Sequence, residues 1–188
     1  MRFVLLGAWC VVIAGPACAQ TVPQAEALAP RQSLMLLNVS GGKFQSYVLE
    51  TAGKPVEQNL ELTIESVNPD PEWAASAMIC AVAKSSTYEA CLRVSKRDRN
   101  STALSAARLF FKDEKRMLLS QDPVAGNFEV GNKIRIALRS RSDAVEFKVD
   151  DGAWLMQALP FTPEALRLVC SSALCKLQLN EVAPLSRP

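Results

Sequence analysis

Two short-range pairs of cysteines, Cys80 with Cys91 and Cys170 with Cys175, carry the first chemistry the sequence offers. Thiols spaced this way form disulfides or hold a soft metal ion. Zinc prefers cysteines two to four residues apart, commonly completed by histidine, and the chain contains no histidine at all. Cys170 and Cys175 fit the upper edge of that spacing, but Cys80 and Cys91 lie too far apart, and no Cys-x-x-Cys redox motif joins them. Two structural disulfides are therefore expected. Among the pairings open to four cysteines the local ones are favoured, each stapling neighbouring antiparallel strands across a hairpin.

The missing histidine also removes the commonest general base, so Ser-His-Asp and Cys-His mechanisms are excluded. Lys84-Ser85-Ser86 sets the residue types of serine–lysine chemistry side by side, in a stretch that reads as a solvated turn. The remaining acid/base candidate is Glu61-Leu62-Thr63-Ile64-Glu65. On a strand Glu61, Thr63 and Glu65 share one face, and paired carboxylates serve as nucleophile and acid/base in retaining glycoside hydrolysis. The competing reading is the solvent face of an amphipathic strand, and a non-catalytic protein is the expectation.

For binding, the candidates are aromatic and basic. Trp73 and Trp154 are the only tryptophans after Ala19, and sugar clefts rely on aromatic platforms. Basic side chains gather in three runs: Arg93, Lys96, Arg97 and Arg99; Arg108, Lys112, Lys115 and Arg116; Arg135, Arg139 and Arg141. Two runs sharing a face would suit a polyanion such as an acidic polysaccharide, lipopolysaccharide or host glycan. Asp98, Asp113 and Glu114 interrupt them, which equally fits a solvated face. Trp73, Trp154, Arg135 and Arg139 are taken as the candidate ligand-binding residues. Asp150-Asp151 lacks the further ligands that calcium requires, so no metal and no cofactor are expected. A formal net charge of +2 over 188 residues gives no reason to expect nucleic acid as a partner.

Residues 1–19 have the composition of a secretory signal peptide: Arg2, an apolar run from Phe3 to Ala14, the Gly15-Pro16 break and an Ala17-x-Ala19 cleavage site. The run is too short for a permanent membrane span. Cys10 and Cys18 leave with the leader, and Gly15 and Pro16 stand where a lipobox requires other residues, so lipidation of Cys18 is not expected. The expected address is exported, periplasmic or secreted. There disulfides persist.

These groups must be positioned by strands. Residues 20–32, rich in Ala, Pro and Gln, read as a flexible segment, 33–183 as a single domain and 184–188 as a tail. Leu60, Leu62 and Ile64 alternate with polar neighbours, as do Ile134, Ile136 and Leu138, and then Val145, Phe147 and Val149. The last two runs form an expected hairpin, followed by a turn at Asp150-Asp151-Gly152 in which Asp-Gly supplies the positive φ. Met78 to Ala83 is apolar on both faces and suits a central strand. Further strands are expected at Leu34–Val39, Phe44–Glu50, Ala75–Ala83, Ala90–Ser95, Leu104–Phe111, Arg116–Ser120, Leu166–Cys170 and Leu174–Leu179. One short helical turn is expected at Thr162-Pro163-Glu164-Ala165. The fold class is all-β: a two-layer antiparallel β-sandwich, jelly-roll or immunoglobulin-like, with few or no helices outside the signal peptide.

Three resemblances add to this reading. The Glu61–Glu65 run resembles the Glu-x-Asp-x-Glu strand of jelly-roll β-glucanases, which implies Glu61 as nucleophile and Glu65 as acid/base; Thr63 departs from the family's aspartate. The order Trp73, Cys80, Cys91, Asp122-Pro123, Asp150-Asp151-Gly152, Leu159-Pro160-Phe161 and Cys170-x4-Cys175 resembles the invasion-associated locus B family over roughly residues 73–180. That resemblance implies a small exported bacterial β-sandwich protein linked to host-cell invasion and virulence, with no catalytic residue to carry over. The strand material around Asn132 to Phe147 is extra to it. The rhythm of Ile134–Leu138, Val145 to Asp151-Gly152 and Leu174–Leu179 is similar to laminin G and concanavalin A-like jelly rolls. The leading expectation is an interaction protein of the bacterial envelope, meeting an envelope component, a host protein or a glycan. A lectin-like carbohydrate-binding module is the alternative, and it requires that Trp73 and Trp154 are not both buried. A degenerate glycosidase using Glu61 and Glu65 comes third.

Overall fold

A computed structural model describes residues 33–184, apart from 52, 86, 99, 100 and 114 and the side chains of 33 and 181–184. The expected leader, the flexible segment before residue 33 and residues 185–188 lie outside the described residues. Two six-stranded antiparallel sheets contain the twelve strands found among the described residues. In spatial order the first sheet holds β1 (Ser33–Asn38), β12 (Ala173–Pro184), β3 (Val56–Val67), β8 (Lys133–Ser140), β9 (Ala144–Val149) and β10 (Leu155–Ala158). The second holds β2 (Phe44–Glu50), β11 (Ala165–Ser171), β4 (Ser76–Val82), β5 (Tyr88–Lys96), β6 (Ala103–Lys112) and β7 (Lys115–Asn127). No helix occurs among the described residues. The all-β sandwich read from the sequence is the fold.

Period-two alternation builds the space between the sheets. Leu60, Leu62 and Ile64 of β3, Ile134, Ile136 and Leu138 of β8, and Val145, Phe147 and Val149 of β9 point inward against Ile79, Leu92, Val94 and Leu166 of the second sheet's strands. Gln58 shares the inward face of β3 and is fully buried. Its Nε2 donates to the carbonyls of Asn59 and Asn180 at 2.8 and 2.5 Å. Asn180 sits where the β12–β3 register slips, so the amide satisfies a carbonyl that the bulge takes out of the ladder.

A smaller apolar cluster lies on the outer face of the second sheet. Cys80, Val82, Cys91, Ala107, Leu109 and Ala165 form it, with Met78 and Phe111 against them. This second cluster is why β4, flanked by β11 and β5, is apolar on both faces.

Four local expectations need correction. The turn after β9 has its positive φ at Asp150 (46°), not at Gly152. Asp150 tolerates it because its amide donates to the Arg135 carbonyl at 2.7 Å and its Oδ1 accepts the Arg135 N–H at 2.9 Å. Thr162–Ala165 forms no helical turn. Glu164 donates to the Val82 carbonyl and accepts from Thr51, both at 2.9 Å, so the backbone bonds sideways rather than along itself. The edge strand β7 runs well beyond the expected Arg116–Ser120, and the four-residue β10 was not anticipated.

The fourth concerns the disulfides. Both local pairs are bonded. Cys80 and Cys91 are direct partners in the β4–β5 hairpin, with α-carbons 4.0 Å apart. Cys170 and Cys175 do not staple a hairpin, because β11 belongs to the second sheet and β12 to the first. Ser172, at φ 50°, turns the chain between the layers, and the bond with its 6.1 Å α-carbon separation ties one sheet to the other inside the core.

Candidate functional site

The alternation that fills the core also projects a second set of side chains from the outer face of the second sheet. One cross-strand row reads Val169, Met78, Arg93, Ala107 and Gln121 through β11, β4, β5, β6 and β7. The next row contains Ser171, Ser76, Ser95 and Ser105. Over these rows lies a groove of about 820 Å³, whose lining also includes Leu109, Phe111, Arg116 and Arg167.

The connection from β3 to β4 walls this groove with Asp70, Glu72 and Trp73. Its shape is locally determined. Asp70 Oδ1 accepts the backbone N–H groups of Glu72 and Trp73 at 2.9 and 2.8 Å, an Asx-type turn. Asn68 ties the connection to the body, donating from Nδ2 to the Val39 carbonyl at 2.5 Å and from its amide to the Ser172 carbonyl at 2.9 Å. The β1–β2 turn passes close by. A β-carbon at Gly41 would stand 2.6 Å from the Pro69 carbonyl oxygen, so the approach requires glycine. Trp73 remains 44% exposed on this anchored wall.

The charges in the groove are unequal. Arg167 pairs through Nη2 with the Glu89 carboxylate. Arg93 has no hydrogen-bond or ion-pair partner among the described residues, and its Nε is inaccessible to solvent. Burial, and then the neighbouring Arg116, pull the Arg93 pKa below the usual guanidinium range. Lys96 and Arg97 border the same space, with Asp98 and Glu72 also in the lining. Cys80, Glu89 and Cys91 cluster nearby with metal-like spacing, but the two sulfurs are bonded to each other and offer no thiolate.

Glu89 is 7% exposed, and burial raises its pKa above the ordinary carboxylate value while Arg167 opposes the rise in part. A raised folded-state pKa means that the folded state binds more protons than the unfolded state between the two values. Stability from this group therefore increases as pH falls through the folded pKa toward the unfolded one. Glu89→Gln is expected to remove that contribution. Melting temperatures measured from pH 7 down to about 4.5 should show a shallower loss, or a gain, with acidification in the native protein relative to the variant. Parallel profiles would mean that Glu89 titrates alike in both states.

The other sequence-derived candidates lie on the opposite side of the sandwich. Arg139 bonds Glu57 at 2.9 Å and stacks 4.0 Å over the Trp154 ring, which Lys148 also approaches at 5.9 Å. Arg135 meets Asp151 at 2.9 Å and Asp150 at 3.7 Å, and Arg141 meets Glu146. The third basic run is paired because β3, β9 and the turn after β9 lie beside β8 and bring acids to its arginines. Trp73 is thus separated from Trp154, Arg135 and Arg139.

Glu61 and Glu65 project from that same outer face of the first sheet. Glu61 is held by Lys133 at 2.8 Å. Four residues along a strand place their α-carbons about 13 Å apart. Neither lines the groove. In the second basic run Arg108 turns the other way, to Ser120 and to the Met156 carbonyl, whereas Arg116 reaches the groove. Arg99 and Glu114 lie outside the described residues. Arg167, Ser76, Ser95 and Gln121 were not singled out from sequence. The two-faced apolar character of β4 was the available signal that the outer face of this sheet is covered.

No family model matches the chain, and no curated protein matches it in sequence. Solved structures match in fold. A carbohydrate-binding module, CBM66, from Bacillus subtilis superposes with a TM-score of 0.54 at 10% identity, covering 82% of this chain and 92% of that one. A galectin from Caenorhabditis elegans gives 0.50 at 9% identity, covering 79% and 95%. A GH43 protein from Bacillus licheniformis gives 0.57 at 5% identity, covering 81% of this chain but 33% of its own length. These likenesses identify the sandwich as jelly-roll-like.

Proposed function

We propose that this chain is an exported, non-catalytic glycan-binding β-sandwich whose binding face is the groove on the second sheet. The observation that carries the reading is the juxtaposition of exposed Trp73 with serine, glutamine and arginine side chains in one concave site. Its volume lies within the range of small-molecule and oligosaccharide sites. An aromatic face for the apolar side of a sugar ring, beside hydroxyl and amide groups for its hydroxyls, is what such a ligand requires. The carbohydrate-binding module and the galectin among the fold neighbours support the reading. Two disulfides and the leader sequence support an oxidising address. The spaced residues resembling the locus B family support a partner at the bacterial envelope or a host surface.

A glycan array probed with the purified protein tests this directly, followed by calorimetry on the best ligand. Trp73→Ala is expected to weaken binding by roughly tenfold or more, about 1.4 kcal/mol. Its melting temperature should stay close to native, since the residue is exposed. A silent array, or full affinity in the variant, would overturn the proposal.

A further inference from the structure

We infer that the groove selects an anionic glycan, one whose sugar ring carries a carboxylate or sulfate, and that Arg93 is the residue that reads the charge. The inference rests on the glycan-binding reading above and adds the ligand's chemical class. A neutral sugar would give no reason to leave a half-buried guanidinium without an acid. Arg167, on the same face, has Glu89 for that purpose, while Arg93 has nothing comparable. Removing a cation from water without a partner is costly, and a second cation, Arg116, stands close enough to disfavour its charge further. An anion arriving with the ligand relieves both penalties.

The acids in the lining do not serve this role. Asp70 Oδ1 is engaged by the backbone of its own turn, and Glu72 is exposed. A guanidinium presents a planar fork of donors that matches carboxylate and sulfate oxygens. Met78 and Ala107 flank Arg93 in the sheet register, so water competes poorly for that fork. Trp73 is left to the rest of the sugar.

Calorimetry at 150 mM salt tests the inference with three probes: oligogalacturonate, its methyl-esterified neutral counterpart, and a heparin-derived hexasaccharide. At least one acidic probe should bind tenfold or more tightly than the neutral one. Arg93→Gln should abolish that preference. Arg116→Gln, at an exposed position, should reduce the preference severalfold and serves as the second variant if Arg93→Gln does not fold. Lys133→Gln, on the far sheet, should change nothing. Equal binding of neutral and acidic probes, or an acid preference that survives both arginine variants, overturns the anionic inference and leaves glycan binding standing. Failure of all three probes, together with a silent array, overturns both.

Discussion

Phe147→Ala is expected to lower the unfolding free energy by about 3–5 kcal/mol, the range for truncating a buried aromatic residue. Phe147 is fully buried, and its strand is paired on both sides, with Leu138 of β8 and Leu155 of β10 opposite it. Neighbouring strands held in two ladders cannot collapse into the space, so the cavity term adds to the lost transfer term. For a domain of this size the melting temperature should fall by roughly 10 °C or more. Met156→Ala, at a residue 65% exposed on the neighbouring strand, should change stability by no more than about 0.5 kcal/mol. Urea unfolding of both variants separates the cases. A cost below about 1 kcal/mol at Phe147 would mean that the two sheets do not pack around it.

The second large effect concerns the bond between the sheets. Chain entropy alone makes Cys80–Cys91, with a separation of 11, worth about 2.8 kcal/mol and Cys170–Cys175, with a separation of 5, about 2 kcal/mol. Their placement reverses this order. Cys80 and Cys91 join strands already held by a hairpin ladder. Cys170 and Cys175 hold the crossing between layers, and removing both sulfurs also opens a void in the main core. The Cys170→Ala/Cys175→Ala double variant is expected to lose about 3–5 kcal/mol, more than the corresponding variant at Cys80 and Cys91. Thermal melts of the two double variants decide the order. A larger loss at Cys80 and Cys91 would show that loop closure outweighs the tie between sheets.

Much of the fold was legible because a strand with one buried face writes its period into adjacent residues. Leu60–Ile64, Ile134–Leu138 and Val145–Val149 each reveal an inward face within a few positions, and Cys80 and Cys91 stand at matching distances from their turn. The groove was less legible. Arg93 and Arg167 are distant in sequence and reach one face only because β11 inserts beside β4, next to β5. Arg135 and Arg139 read as a basic patch until β3 and the turn after β9 brought Glu57, Asp150 and Asp151 against them. Gln58 occupied an inward position that its polarity concealed, since the carbonyl it satisfies belongs to a bulge far along the chain.

The sequence by itself determined that this is an all-β chain with four cysteines in two closely spaced pairs after the leader and without histidine-based chemistry. Those properties follow from residue identity and from spacings of a few residues, which the backbone geometry of a strand converts directly into faces. Only the tertiary structure decided that the second disulfide crosses between sheets, that Trp73 rather than Trp154 borders a groove, and that Arg167 is paired with Glu89 while Arg93 has no acid partner among the described residues. Strand order makes those decisions. It is set by long-range pairing of backbone ladders and burial of whole faces, and no local window of the chain contains it.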